Sequence, residues 1–172
     1  MENKKIPAKL YLCATPIGNL EDITLRCLRI LRGAAAVYCE DTRNTLKLMN
    51  HFEIKKPLIS CHEHNEEQRA NEIAERVRGG EAIAFVSDAG MPGVSDPGSR
   101  LVRFFVENNL PFEVLPGANA VLTAWVMSGL PTESLYFCGF IPRSGAERSE
   151  AVERIKNSEA TVVLYESPHR VA

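Results

Sequence analysis

Three features of this sequence predict an α/β fold: a mostly parallel N-terminal sheet with flanking helices, followed by a second, incomplete α/β domain. Apolar runs of strand length alternate with amphipathic runs of helical period. Polar clusters rich in glycine, proline and carboxylates follow the strand-like runs, whereas the residues before them are plain. After residue 117 the alternation changes character, and only two strand-like runs remain. Two strands and one amphipathic helix are too few to close a core. The expected organisation is therefore a domain over 1–117, then a linking helix and the start of a truncated C-terminal domain over 118–172.

The elements follow in order. The strand-like runs are KLYLCA (9–14), AAAVYC (34–39), PLISC (57–61), AIAFVS (82–87), FEVL (112–115), LYFCGF (135–140) and TVVLYE (161–166). The first helix starts near Asp22 or Thr24 and continues through LRCLRILR, and TRNTLKLMNHF forms the second. The third, from Asn65 to Arg78, places Ala70, Ile73, Ala74 and Val77 on one face. Asn65 reads as its N-cap with Gln68 at the capping-box position, and Gly79-Gly80 stop it. Asp96-Pro97 read as a cap and first-turn proline for the fourth. AVLTAWVMSG is apolar nearly all round and predicts a buried helix. Gly129 and Pro131 mark a hinge, and GAERSEAVERIKN predicts a charged helix.

The bulk numbers exclude several classes. With 172 residues, 45% hydrophobic and 24% charged, the chain has the composition of a soluble globular protein. A net charge of −2 and a pI near 6.1 exclude an overall basic field, though not a local basic patch. No run has signal-peptide or membrane-spanning length. Five cysteines, widely spaced and without a C-x-x-C pair, predict reduced, mostly buried thiols and a cytoplasmic protein.

In a parallel sheet the strand C-termini share one edge, where ligands bind. The clusters there are TPIGNLED, EDTRNT, HEHNEE, SDAGMPGVSDPG, PGANA, IPRSG and SPHR. None matches a dinucleotide or P-loop glycine pattern. The Ala89-Gly90-Met91-Pro92-Gly93 stretch instead suits close approach of backbone to a flat or uncharged group. Glu40, Asp41, His62, Glu63, His64 and Asp88 are candidate proton acceptors, since each follows a strand on this edge. His62 and His64 fall on one face of an extended strand, as a metal pair needs, but further ligands at suitable spacing are missing and no metal is assigned.

Taken in order, LYLCATPIGNLEDITLRCLRIL, YCEDTRNT, HEHNE, FVSDAGMPGVSDPGSRLV, VLPGANAV, GFIPR and LYESPHRV resemble the tetrapyrrole-methylase superfamily. Within it they are similar to the branch that methylates small-subunit ribosomal RNA. The resemblance implies a two-domain fold with S-adenosylmethionine held between the domains, a homodimer, and transfer of a methyl group to the ribose 2′-hydroxyl of a cytidine in 16S ribosomal RNA. It assigns cofactor contacts to Pro16, Ala89, Gly90, Met91, Val94, Asn119, Ala120 and Glu166. Met91 stands where the porphyrin-precursor enzymes carry an aspartate, and the first loop has fewer glycines than theirs. Both differences point toward the RNA branch.

Methyl transfer from an activated donor needs alignment and a group to accept the hydroxyl proton. Glu40, Asp41, His62 and His64 are the catalytic candidates, and Arg43 is the candidate phosphate contact, a role for which a guanidinium fork is suited. Arg143 reads more simply as a solvated surface residue. Competing readings are a superfamily enzyme with a small-molecule substrate, a non-catalytic ligand-binding fragment, and a metal-dependent phosphohydrolase using Asp88, Asp96 and the Glu40-Asp41 pair.

Overall fold

The computed structural model describes residues 6–171, and the chain divides into two compact units at Ala118/Asn119. In the first unit the strands are β1 (Leu10–Cys13), β2 (Ala36–Cys39), β3 (Leu58–Ser60), β4 (Ile83–Val86) and β5 (Phe112–Leu115). They form one sheet in the order β3-β2-β4-β1-β5, with every pairing parallel. The helices are α1 (Leu25–Gly33), α2 (Thr42–His51), α3 (Glu66–Arg78) and α4 (Ser99–Glu107).

Strand alternation sorts the core into two layers. Tyr11, Cys13, Val37, Cys39, Ala84 and Val86 face α1 and α2, meeting Cys27, Leu28, Leu31 and Met49. Leu10, Leu12, Tyr38, Ile83 and Phe85 face the other way, against Ile73, Ala74, Leu101 and Phe105 of α3 and α4. Burial on both faces explains why β1, β2 and β4 read as unbroken apolar runs. Two crossovers run from β1 toward β3 and two return toward β5. With one handedness of crossover, this reversal places α1 and α2 on one face and α3 and α4 on the other.

The helix starts differ in how they are capped. Thr24 caps α1 by accepting the Cys27 amide at 3.0 Å, and Asp41 caps α2 by accepting the Arg43 amide at 2.8 Å. Asn65 precedes α3 but does not cap it with its side chain. Its Oδ1 takes the His62 amide at 2.8 Å and its Nδ2 donates to the Ser60 carbonyl, which closes the β3–α3 turn instead. The expected capping box is therefore absent. Nor does Asp96 cap α4, whose N-cap is Gly98 at φ +124°. The buried Glu66 of α3 supplies the cap across the layer, accepting the Gly98 and Leu101 amides at 3.0 and 2.8 Å.

The second unit contains α5 (Ala120–Met127), β6 (Leu135–Phe140), α6 (Gly145–Lys156) and β7 (Thr161–Tyr165), with β6 and β7 parallel. The prediction of a buried α5 fails. Leu122, Val126 and Met127 are exposed, and only Val121 of this helix is buried. Two strands and one other helix offer too little apolar surface to cover it. The thiols of Cys13, Cys27, Cys39 and Cys61 are buried, whereas Cys138 is half-buried, and all five are unpaired. Among the described residues no helix is long and apolar enough to cross a membrane.

Candidate functional site

All five strands of the first unit end on one edge, and their loops are joined there largely by backbone. Thr15 after β1 and Gly90 after β4 exchange both main-chain hydrogen bonds, at 2.9 and 3.0 Å. Gly90 sits at φ +79°, where a Cβ would also come within 3.2 Å of Ile17 Cγ2. At Gly117, after β5, a Cβ would lie 2.7 Å from the Ala14 Cβ, so only glycine admits this approach. The loops after β1, β4 and β5 therefore close on one another. Asp88 and Ala89 are left exposed, and Met91 and Val94 partly so. A hollow of about 130 Å³ beside them is lined by Thr15, Pro16, Asn44, Ser87 and Asp88, among others.

Beyond β4 the edge becomes a carboxylate cleft of about 540 Å³, lined in part by Glu40, His62, His64, Asp96 and Arg100. Asp88 is fixed at its border. One oxygen accepts the Asp41 amide at 3.2 Å and the other accepts Asn44 Nδ2 at 2.9 Å. Asp41 is fully engaged by α2 and by the Arg43 guanidinium, whose Nη2 lies 2.6 Å from Oδ2. These Arg43 contacts hold the Asp41 carboxyl down to about 2. The Arg43 side chain otherwise projects into solvent, 86% exposed.

Glu40 and Asp96 are tuned the opposite way. Loss of hydration pushes the Glu40 carboxyl up, and the charges of Asp88 and Asp96 push it further. Burial also raises Asp96, with Asp88 adding to it and a Ser87 hydrogen bond opposing it. A carboxylate with a raised pKa is the stronger base, so Glu40 and Asp96 suit proton acceptance better than Asp41. Sequence reading missed Asp96 in this role because Asp-Pro before a helix mimics a cap. Once Glu66 caps α4, Asp96 is free to line the cleft.

His62 and His64 stand in the turn after β3, not on a strand face, because β3 ends at Ser60 and the Asn65 hydrogen bonds bend the chain. Their rings meet edge to face at 5.9 Å. The His62 Nδ1 is buried without a hydrogen-bond partner among the described residues. Also among the described residues, no three His, Cys, Asp or Glu side chains are placed to hold a metal ion. In the second unit, Asn119 caps α5 by accepting the Leu122 amide at 3.0 Å, and Ala120 is the first helical residue. Glu166 accepts the Ser167 amide at 2.7 Å and pairs with Arg170 at 3.2 Å.

The raised carboxyls give a pH signature. A carboxyl whose folded pKa exceeds its unfolded value adds stability below the unfolded pKa and loses it as pH rises through the folded one. Glu40→Gln is therefore expected to match the parent chain in acid and to exceed it at neutral pH. The gain stays below about 1 kcal/mol because the group keeps contact with water. Chemical denaturation at pH 4 and pH 7 checks this, and a variant less stable at pH 7 would contradict the assigned burden.

Residues 9–172 match the family described as tetrapyrrole (corrin/porphyrin) methylases. The chain belongs to that family. Within it, the chain is 51% identical over 162 residues to ribosomal RNA small subunit methyltransferase I of Halalkalibacterium halodurans. That match covers 94% of this chain and 56% of the relative. The protein of the same name from Bacillus subtilis is 45% identical with the same coverage. The chain thus spans about half the length of these methylase relatives. Among solved structures, a diphthine synthase superposes with a TM-score of 0.73 at 17% identity, covering 94% of this chain and 65% of that one. At that identity the likeness speaks to the methylase fold alone.

Proposed function

We propose that this tetrapyrrole methylase binds S-adenosylmethionine and serves 2′-O-methylation of a cytidine ribose in small-subunit ribosomal RNA. The observation that carries the reading is the 51% identity to a protein named as a methyltransferase of small-subunit ribosomal RNA, and the cytidine 2′-hydroxyl rests on the family resemblance. The geometry of the first unit fits the cofactor. The closed loops leave Ala89 exposed and Pro16, Met91 and Val94 partly so, while Gly90, whose own main-chain groups are held by Thr15, shapes the loop that presents them. Bound there, the cofactor would supply an activated methyl group. The chain's own residues then have two tasks. Main chain at the loop after β4 orients the donor, and Glu40 takes the 2′-hydroxyl proton as the oxygen gains the methyl group. Asp96 and His62 border the same cleft and position that hydroxyl. Arg43 holds a neighbouring phosphate. A homodimer and a cytoplasmic location complete the reading, the dimer resting on family resemblance.

Calorimetric titration of S-adenosylmethionine into this chain, and into one of its relatives' length, tests the cofactor. Heat from neither would end the assignment. Arg43→Ala is expected to leave cofactor affinity unchanged while weakening RNA binding several-fold, since one phosphate contact is lost. Unchanged RNA affinity would remove Arg43 from the site.

A further inference from the structure

The two helical layers of the first unit carry opposite balances of charge. Between Thr24 and Lys56 there are seven lysines and arginines against three carboxylates, whereas between Glu63 and Glu107 there are five against nine. Their pairing differs as well. In the α3/α4 layer Arg69, Arg76, Arg78 and Arg100 each meet a carboxylate, and of its five cations Arg103 alone joins none of the ion pairs among the described residues. In the α1/α2 layer Arg29, Lys47 and Lys55 are exposed and join none of the ion pairs among the described residues. Exposed cations left without counter-charges on one face are a docking surface for a polyanion. The overall charge of −2 conceals them.

Helical spacing aligns basic side chains around them. Lys47 stands one turn from Arg43, which is paired with Asp41, and one turn from His51 along α2, and Arg29 and Arg32 stand three apart on α1. Arg32 reaches the Phe52 carbonyl at 3.2 Å, which ties the last turns of the two helices together. Both helices begin at the strand C-termini, so the charges run from the candidate site toward the opposite edge. Arg43 to His51 spans about 12 Å at 1.5 Å per residue, enough for a strand to present more than one phosphate.

We propose that the outer face of α1 and α2, with the connection from α2 to β3, is an RNA-docking surface, which holds the phosphate backbone of a single-stranded segment at Arg29, Lys47 and Lys55. This rests on the reading of the substrate as RNA. Such contacts fix register and orientation and leave base choice to the cleft.

The test is titration of a short single-stranded RNA oligonucleotide into the full chain over a series of salt concentrations. Arg29→Ala/Lys47→Ala is expected to flatten the log-affinity against log-salt slope by about 1.4, or roughly 0.7 per lost contact. Cofactor affinity and melting temperature should not move. The control pair Arg78→Ala/Arg103→Ala, on the other layer, should keep the parental slope. A parental slope in the first double variant overturns the docking surface and leaves RNA as substrate. Equal flattening in both pairs shows diffuse attraction and overturns the location. A parent chain that binds cofactor but no RNA overturns the substrate reading and this surface together.

Discussion

Glu66→Ala is expected to destabilise the first unit by about 3 kcal/mol. The carboxylate accepts two amides that are themselves buried, and each hydrogen bond to a charged acceptor contributes about 1.5–3 kcal/mol. Truncation strands the Gly98 and Leu101 donors at the start of α4, while relief of the buried charge offsets part of the loss. Glu66→Gln keeps an acceptor of the same reach and should lose only about 1 kcal/mol. Urea denaturation of the two variants separates charge from hydrogen bonding. If alanine and glutamine behave alike, α4 is capped by something other than this side chain.

Gly90→Val should lose S-adenosylmethionine binding and destabilise the chain by about 2–4 kcal/mol. A β-branched residue at φ +79° is strained by about 1–3 kcal/mol, and its side chain also meets Ile17. Relief requires the backbone to turn, which breaks the paired hydrogen bonds with Thr15. Circular dichroism is expected to retain the sheet signal, because the strain falls beyond the end of β4. A folded Gly90→Val chain with parental cofactor affinity would remove the loop from the binding site.

Much of the fold is legible in the sequence because its signals are local and consistent. Phe112–Leu115 and Leu135–Phe140 form strands over the bounds their apolar runs predict, and α2 begins at Thr42, where the run TRNTLKLMNHF begins. The errors arise where a local signal competes with a distant partner. Asp96-Pro97 has every feature of a helix start, yet Glu66, some thirty residues earlier, takes the amides. Asn65 looks like a cap, but two hydrogen bonds across the β3–α3 turn claim its side chain and carry His62 and His64 off the strand. Apolar composition marked α5 as buried, and burial depends on neighbours that periodicity does not name. The candidate site was legible as an edge. Its division into a backbone-closed part and a carboxylate cleft was not, since that follows from the strand order.

The cysteines turn the first unit into its own reporter. Cys13, Cys27, Cys39 and Cys61 lie in β1, in α1, in β2 and just after β3, each 1% exposed or less, whereas Cys138 keeps contact with solvent. A thiol reagent added to the native chain therefore meets one accessible sulfur, and the other four become reactive only as their own elements open. Pulsed alkylation read peptide by peptide would time the opening of each element without a single engineered residue.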